Sequence, residues 1–395
     1  MELIQNLLNI LAWLCTLAIL PFSAYLFLLA IAGTRKTKLQ KEKANPASTK
    51  IHIVVPAYQN DEVLIHTCTK NLKSLSSTQI NFSYWILGDK LQDNTRQILL
   101  EKPVKLVDIN LEKSTKSRAI NQWLEKEGNE LNGFVFLLDV DNLIALDGLE
   151  NLINNLDENS DNWYQLNRIA ANEEADISEL DAWSEAVNNF IFRRGAQNLG
   201  IQPALIGSGM LAPLKSFSRL HRSIDVTGGF DKWLEHYVIQ SQVKIIYRED
   251  IKILDQKIAD LSALKTQRTR WVAAQYSAAK QLFPVFLSCL MRLKIKHALK
   301  YFQLYLPPRV LHLLLSTCLL LTGFLSSRLL ALNAINFGML IIALYLASPP
   351  GKRIKIPLLF AKHALQIVRS YLGMGKDFSS ANKEFLVTQH KKPNE

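Results

Sequence analysis

The chain has 395 residues, 48% of them hydrophobic, and a formal net charge of +11. That length allows one large domain with attachments, and apolar residues crowd toward the two ends in a way that excludes a purely soluble fold. The four cysteines (Cys15, Cys68, Cys289 and Cys318) form no close pair, which excludes a disulfide framework or a cysteine zinc site. No nucleic-acid-binding motif accompanies the positive charge, so nucleic acid is not an expected partner.

Residues Leu3 to Thr34 carry no charge. About 20 apolar residues suffice to cross a bilayer. The stretch lacks a basic leader and exceeds the ~7–15 apolar residues of a signal peptide, so residues 1–34 are expected to be a retained transmembrane anchor. Arg35, Lys36, Lys38, Lys41 and Lys43 follow it in a basic linker over residues 35–49. Positive residues beside a span mark its cytosolic side.

Residues 50–274 alternate short apolar runs with helical spacing. The runs are Ile51–Val55, Tyr84–Leu87, Val104–Val107 and Phe134–Leu138, with a later one at Val243–Tyr247. Between the third and fourth, Ala119, Ile120, Trp123 and Leu124 repeat at helical spacing. This predicts an α/β domain with a mostly parallel sheet covered by helices on both faces. Ligands bind beyond the carboxyl ends of such strands, where Pro56, Asp89 and Asp139 stand.

Residues 275–305 mix apolar Phe283, Phe286, Leu290 and Leu293 with Arg292, Lys294, Lys296 and Lys300. That pattern suits helices lying in a membrane interface, or equally a helix packed on the soluble domain. Residues 306–350 read as a membrane hairpin, from Val310 to Ser327 and from Leu329 to Pro349, ending at Lys352 and Arg353. His312 is near one end of the hairpin, within reach of the interface. Residues 351–395 form a tail with an amphipathic stretch from Ile356 to Tyr371. The charges predict a multi-pass protein with the central domain and tail in the cytosol and lipid as a constant partner, and the expected location is the inner (plasma) membrane.

Two local patterns carry chemistry. Leu138-Asp139-Val140-Asp141-Asn142 places two carboxylates beyond a buried strand. In extended chain both point to one face, and such oxygens suit Mg2+ or Mn2+. Gln267-Arg268-Thr269-Arg270-Trp271 offers a guanidinium for a diphosphate and a flat ring for a sugar. Each pattern alone is also compatible with an ordinary capped turn or a basic helix.

Taken in order, the patterns resemble the membrane-bound family-2 glycosyltransferases, the group that contains cellulose, chitin and hyaluronan synthases. Val54-Val55-Pro56-Ala57-Tyr58 resembles the opening strand and loop, and Gly88-Asp89 the acid that meets the nucleotide base. Lys116 resembles the lysine before the Ala-Leu-Asn helix, and Asp139 and Asp141 the metal motif. Gly207-Ser208-Gly209 resembles the acceptor-side loop, and Gln267, Arg270 and Trp271 the Gln-x-x-Arg-Trp signature. Leu306-Pro307-Pro308-Arg309 and Phe385 to His390 extend the series.

The resemblance implies a GT-A, Rossmann-like fold and inverting, metal-dependent transfer from a nucleotide-sugar, a UDP-sugar by kinship. The implied product is a growing polysaccharide, the alternative a glycolipid or other lipid-linked acceptor. A homo-oligomer or a partner membrane subunit would complete a pore. Pro56, Tyr58, Asp89, Lys116 and Asp139 would bind the nucleotide, Asp139 and Asp141 the metal, and Gln267, Arg270 and Trp271 the reacting centre. One departure stands out: the family's adjacent acidic pair is here Phe230-Asp231. Asp231 takes the position of the general base, with Glu235 one helical turn on as the alternative. The replaced acid also leaves open a catalytically silent scaffold.

Overall fold

The computed structural model describes residues 2–37 and 49–373. Helix α1 (Glu2–Gly33) comes first. Strands and helices then alternate as the sequence pattern predicts: β1 (Ile51–Tyr58), α2 (Asp61–Leu75), β2 (Phe82–Asp89), α3 (Asp93–Leu100), β3 (Lys105–Ile109), α4 (Lys116–Lys126) and β4 (Phe134–Leu137). Short β5 (Leu143–Ile144) and α5 (Leu149–Asn154) lead to β6 (Trp163–Ala170) and α6 (Asp176–Asn188). A π-helical stretch, Asn189–Gly195, joins α6 to α7 (Ala196–Asn198). Next come β7 (Met210–Pro213), α8 (Leu214–His221), α9 (Phe230–Gln240), β8 (Ile245–Asp255) and α10 (Leu261–Gln281). The chain continues through α11 (Phe283–Met291), α12 (Ile295–Phe302), α13 (Arg309–Leu321), α14 (Ser327–Ala347) and α15 (Lys355–Gly373).

These elements form two compact units. One holds described residues 49–185 and 202–283, the other 2–37, 186–201 and 284–373. Residues 186–201 therefore join the apolar helices, although they lie inside the stretch 50–274 that the sequence assigns to a single domain. Residue 275, the expected start of the amphipathic region, falls inside α10.

The first unit is built on one eight-stranded sheet in the order β3-β2-β1-β4-β7-β6-β8-β5. Strands β3, β2, β1 and β4 are parallel, whereas β7 is antiparallel to both β4 and β6. Strands β6 and β8 run parallel, and β5 closes the edge antiparallel to β8. The sheet is thus mixed, with its parallel half where the sequence shows it. Alternation along β1 explains the two covered faces. Ile51, Ile53, Val55 and Ala57 face a core with Leu64, Cys68 and Leu72 of α2. Val54 faces the other core, with Ile120, Trp123 and Leu124 of α4, Phe217 of α8, and Leu234 and Val238 of α9. Each fully buried large apolar side chain contributes about 1.5–3 kcal/mol. Helix α4 starts where Thr115 accepts a hydrogen bond from Arg118 N (3.2 Å) at its N-cap.

In the second unit, α1 and α14 are each long and apolar enough to cross a membrane. Helix α13 has 13 residues, short of the ~20 a span needs. It reaches span length only together with the segment before it, from which it is bent by 86° at the break holding Pro307 and Pro308. These helices meet through buried polar groups. Thr16 bonds Asn333 Oδ1 (2.8 Å), Asn336 donates to Ser316 Oγ (3.2 Å), and His312 pairs with Ser23 (2.9 Å). His312 is fully buried within this unit, where Ser23 supplies a polar partner for its Nε2. Leu287, Leu290, Met291, Leu293 and Ile295 of the α11–α12 region are exposed. The tail motif Phe385 to His390 lies outside the described residues.

Candidate active site

The site is assembled in the sheet unit at the carboxyl ends of β1, β2 and β4. Parallel register sets Pro56 level with Leu87 and Tyr58 level with Asp89. Lys90 Nζ stands 5.4 Å from the centre of the Tyr58 ring. Asp89 is 3% exposed, and its Oδ1 has no hydrogen-bond partner among the described residues. Burial pushes its carboxyl up, opposed by the Ser114 hydroxyl and the Lys90 charge. A buried acceptor without a partner is costly unless a ligand supplies the donor.

Beyond β4 the chain does not stay extended. Asn142 N donates to Asp139 O (3.1 Å), closing a turn. The expectation that the two carboxylates share one face therefore fails. Asp139 keeps about a third of its side chain exposed, at 34%, while Asp141 is buried. Asn142 locks this turn. Its Oδ1 accepts from Asp139 N (3.2 Å) and from the Ser208 hydroxyl, and its Nδ2 donates to Asp141 Oδ1 (3.2 Å) and Asp255 Oδ1 (2.9 Å).

Lys116, in the first turn of α4, bonds Asp139 Oδ1 and donates to Gly207 O (2.7 Å). Arg168 Nη1 lies 3.8 Å from Asp139 Oδ2. Arg270 feels the same carboxylate: burial lowers its pKa and the Asp139 charge opposes that shift. Lys116 and Arg168 thus converge on one partly exposed acid, whose charge Arg270 also feels.

The Gly207–Gly209 loop joins this group to α9. Gly207 has φ +76°, and a Cβ there would stand 2.8 Å from the Phe230 ring. Only glycine fits both the left-handed backbone and the close ring. Phe230 opens α9, is buried, and carries Lys116 Nζ 5.3 Å from its ring centre. Asp231 follows in the first turn, a fifth exposed, with Lys232 Nζ 2.9 Å from its Oδ2. A Cβ added at Gly207 would also stand 3.7 Å from the Asp231 Cβ, so the loop runs directly past this acid. Glu235 is buried one turn on, and its Oε1 accepts from Leu205 N (2.6 Å).

Gln267, Arg270 and Trp271 share one stripe of α10. Ala274 continues that stripe, and Gly229, the cap of α9, approaches it so closely that a Cβ would meet the Ala274 Cβ at 2.8 Å. This contact brings the stripe to the head of α9. Gln267 Oε1 is buried without a hydrogen-bond partner among the described residues. Trp271 is 38% exposed, with the Arg268 guanidinium 5.0 Å over its ring. Arg268 is tied in turn to Asp181 and Ser184 Oγ (3.2 Å).

Sequence reasoning missed a buried charge cluster beside the turn. Arg168 Nη2 bonds Glu185 Oε2 (2.9 Å), and Lys257 Nζ bonds Asp255 Oδ2 (2.7 Å). Burial disfavours all these charges, yet mutual attraction outweighs it: the Arg168 and Lys257 pKa values are raised and that of Asp255 lowered. Its members come from three distant segments, and the only local hint is polar residues within the strands β6 and β8.

The mixed sheet, its parallel half covered by helices, is a GT-A fold. Residues 52–218 match the model of glycosyl transferase family 2, and the chain carries a domain of that family, making it a nucleotide-sugar glycosyltransferase. Among solved structures it is similar to a mannosyltransferase from Pyrobaculum calidifontis in complex with GDP-Man and Mn2+. The TM-score is 0.53 at 14% identity, covering 87% of this chain and 97% of that one. At that identity the likeness speaks for the fold. A mycobacterial protein matches at a TM-score of 0.38 and 12% identity, over 62% of this chain and 80% of that one, which is too low to carry an argument. No curated protein sequence matches.

Proposed function

We propose that this chain is a membrane-anchored, inverting, metal-dependent transferase that moves a sugar from a nucleotide-sugar to a growing polysaccharide at the cytosolic face of the inner membrane. The observation that carries it is the meeting of Lys116 and Arg168 on the partly exposed Asp139 at the carboxyl ends of the parallel strands. Asp89 would accept a hydrogen bond from the base, between Pro56 and Tyr58 of β1 and the head of α3. Asp139 would orient the ribose. Arg270 and Lys116 would hold the departing diphosphate. Gln267 and Trp271 would form the floor where donor and acceptor meet.

A divalent cation belongs to this reading, with a partly exposed carboxylate at Asp139 and a buried one at Asp141. Among the described residues no group of three or more His, Cys, Asp or Glu could hold one. Asp139 and Asp141 offer two carboxylates with hard oxygens, and Mg2+ and Mn2+ sites often pair one or two such groups with substrate phosphates. When bound, the ion would stabilise the negative charge of the leaving diphosphate. The Pyrobaculum enzyme, solved with Mn2+ and GDP-Man, supports a metal and a nucleotide-sugar here.

Asp231 is the better base. It retains exposure beside Gly207, whereas the Glu235 carboxylate holds the Leu205 amide. The membrane reading rests on α1, α14 and the bent pair ending in α13. So few spans also favour a second reading, transfer to a lipid-linked acceptor, unless a second copy or a partner subunit completes a pore.

The test is nucleoside diphosphate release by the purified, detergent-solubilised protein over UDP- and GDP-sugars, with and without Mn2+ or Mg2+. Metal-dependent release that disappears in Asp141→Ala is expected, and product length then separates polymer from glycolipid. Nucleotide binding without release from any donor or acceptor would favour the silent scaffold, and absence of binding would refute the reading.

A further inference from the structure

Arg168, Glu185, Asp255 and Lys257 are all buried, yet the reaction described above assigns no chemistry to the last three. Burying four charges is costly unless they are paired, and well-packed apolar residues of similar volume are often as stable or more so. Stability alone is therefore a weak reason for this cluster. Its contacts point elsewhere. Two cations and two anions balance inside it: Arg168 with Glu185, Lys257 with Asp255, and Lys257 Nζ 3.8 Å from Glu185 Oε2. Two members reach out of it, and both touch the turn at 139–142. Arg168 faces Asp139 Oδ2 at one end of the turn, and Asp255 Oδ1 takes the Asn142 amide at the other.

The backbone shows how the cluster comes to be there. Strands β6 and β8 pair from Trp163↔Ile245 to Leu166↔Arg248, then resume at Asn167↔Lys252. Such a bulge re-aims the residues beyond it. After it, Arg168 stands opposite Ile253 and Ala170 opposite Asp255. Arg168 Nη1 comes to lie 3.8 Å from Asp255 Oδ1. Asn172 reinforces the far side, accepting from Lys257 N (2.6 Å) and donating to Lys257 O (3.1 Å).

We propose that Arg168, braced by Asp255, Glu185 and Lys257, is a positioning residue that sets the Asp139 carboxylate for the donor nucleotide. Lys116 holds one oxygen of Asp139 and Arg168 faces the other. The acid is thereby oriented before the donor arrives, and the ordering cost is met in folding, not in binding. Asp255 extends the same control to Asn142 and through it to Asp141. This inference rests on the proposed nucleotide-sugar reading of the site.

The test uses the full chain in detergent. Affinity for UDP and GDP is measured by calorimetry with and without Mn2+, alongside a thermal melt, for wild type, Arg168→Lys and Asp255→Asn. Arg168→Lys keeps the charge but loses the fork. Asp255→Asn keeps the shape and an acceptor for Asn142. Both variants are expected to melt cooperatively and to bind the nucleotide about tenfold more weakly, with donor KM raised by a similar factor and kcat changed far less. Unchanged affinity in folded variants overturns the positioning role while leaving the transferase reading intact. Loss of folded protein in both assigns the cluster to stability and overturns it too. Failure of the wild type to bind either nucleotide sinks the reading of the site and this inference together.

Discussion

Gly207→Ala tests the geometry at the centre of the site. Gly207 holds φ +76°, and its added Cβ would stand 2.8 Å from Phe230 Cε1 and 3.0 Å from Cζ. The left-handed backbone costs an alanine about 1–2 kcal/mol. Overpacking against a buried ring adds about 1–3 kcal/mol, because Phe230 is held in a closed core and has little room to yield. Together these destabilise the fold by about 2–5 kcal/mol, and relief by moving the loop takes the Gly207 carbonyl away from Lys116. Thermal melting and nucleotide release should therefore fall together, with kcat/KM down at least about tenfold. Phe230→Leu removes the two clashing ring atoms and leaves the backbone strain. In the double variant the clash share should return, giving a coupling of about 0.5–3 kcal/mol. Strict additivity of the two substitutions, or a Gly207→Ala protein as stable and active as wild type, would refute this account of the loop.

Other expectations follow from the same contacts. Asp231→Asn should abolish turnover and leave donor affinity within about twofold, whereas Glu235→Gln should mainly lower the melting temperature by weakening its bond to Leu205 N; near-normal turnover in Asp231→Asn would discard the assignment. Asp89→Ala should raise donor KM by roughly 10–100-fold with little change in kcat, the loss of one hydrogen bond to a charged group, and a steady-state comparison decides it. His221 is fully buried beside Phe217 and Phe230, and burial together with the Lys116 charge pushes its pKa to about 3. The unfolded chain takes up this proton below pH about 6.5 and the folded one does not, so the neutral ring's contribution is complete above that pH. It is lost by about 1.4 kcal/mol per unit as pH falls from about 6.5 toward 3. His221→Phe should flatten that part of the stability profile, and identical slopes for the two proteins would count against it.

The parallel half of the sheet is legible in the sequence because β1, β2 and β4 are near-continuous apolar runs, each ending at a residue of the site. The α4 helix is legible for a similar reason: Ala119, Ile120, Trp123 and Leu124 all face one core. Strand β7 escapes because its four residues carry no periodicity, although the Gly207–Gly209 loop before it stands out. The orientation of Asp139 and Asp141 departs from the sequence pattern because alternation holds only in extended chain, and the Asn142 amide closes a turn there. Asn142 sits inside the same motif, but its side-chain hydrogen bonds reach residues as distant as Ser208 and Asp255, which no local pattern reveals. The polar rungs Thr16–Asn333 and Ser23–His312 are hidden for the same reason, since each joins helices at opposite ends of the chain.

The departure at Phe230 is the sharpest case of sequence and structure informing each other. As a sequence change it removes an acid from a paired motif and raises the prospect of a silent fold. In space, Phe230 fills the gap between Gly207 and the α4 side of the sheet, and its ring receives the Lys116 ammonium. An acid in its place would compete with Asp139 for Lys116, which is within reach of both. With a ring there, Lys116 makes its ionic bond to Asp139 and also ties down Gly207 O. Phe230 thus leaves the Lys116 charge on Asp139, and Asp231 as the partly exposed acid at the head of α9. Restoring the acid, Phe230→Glu, makes the point measurable: it should draw Lys116 away from Asp139 and weaken nucleotide binding, and a variant that binds more tightly would reverse the argument.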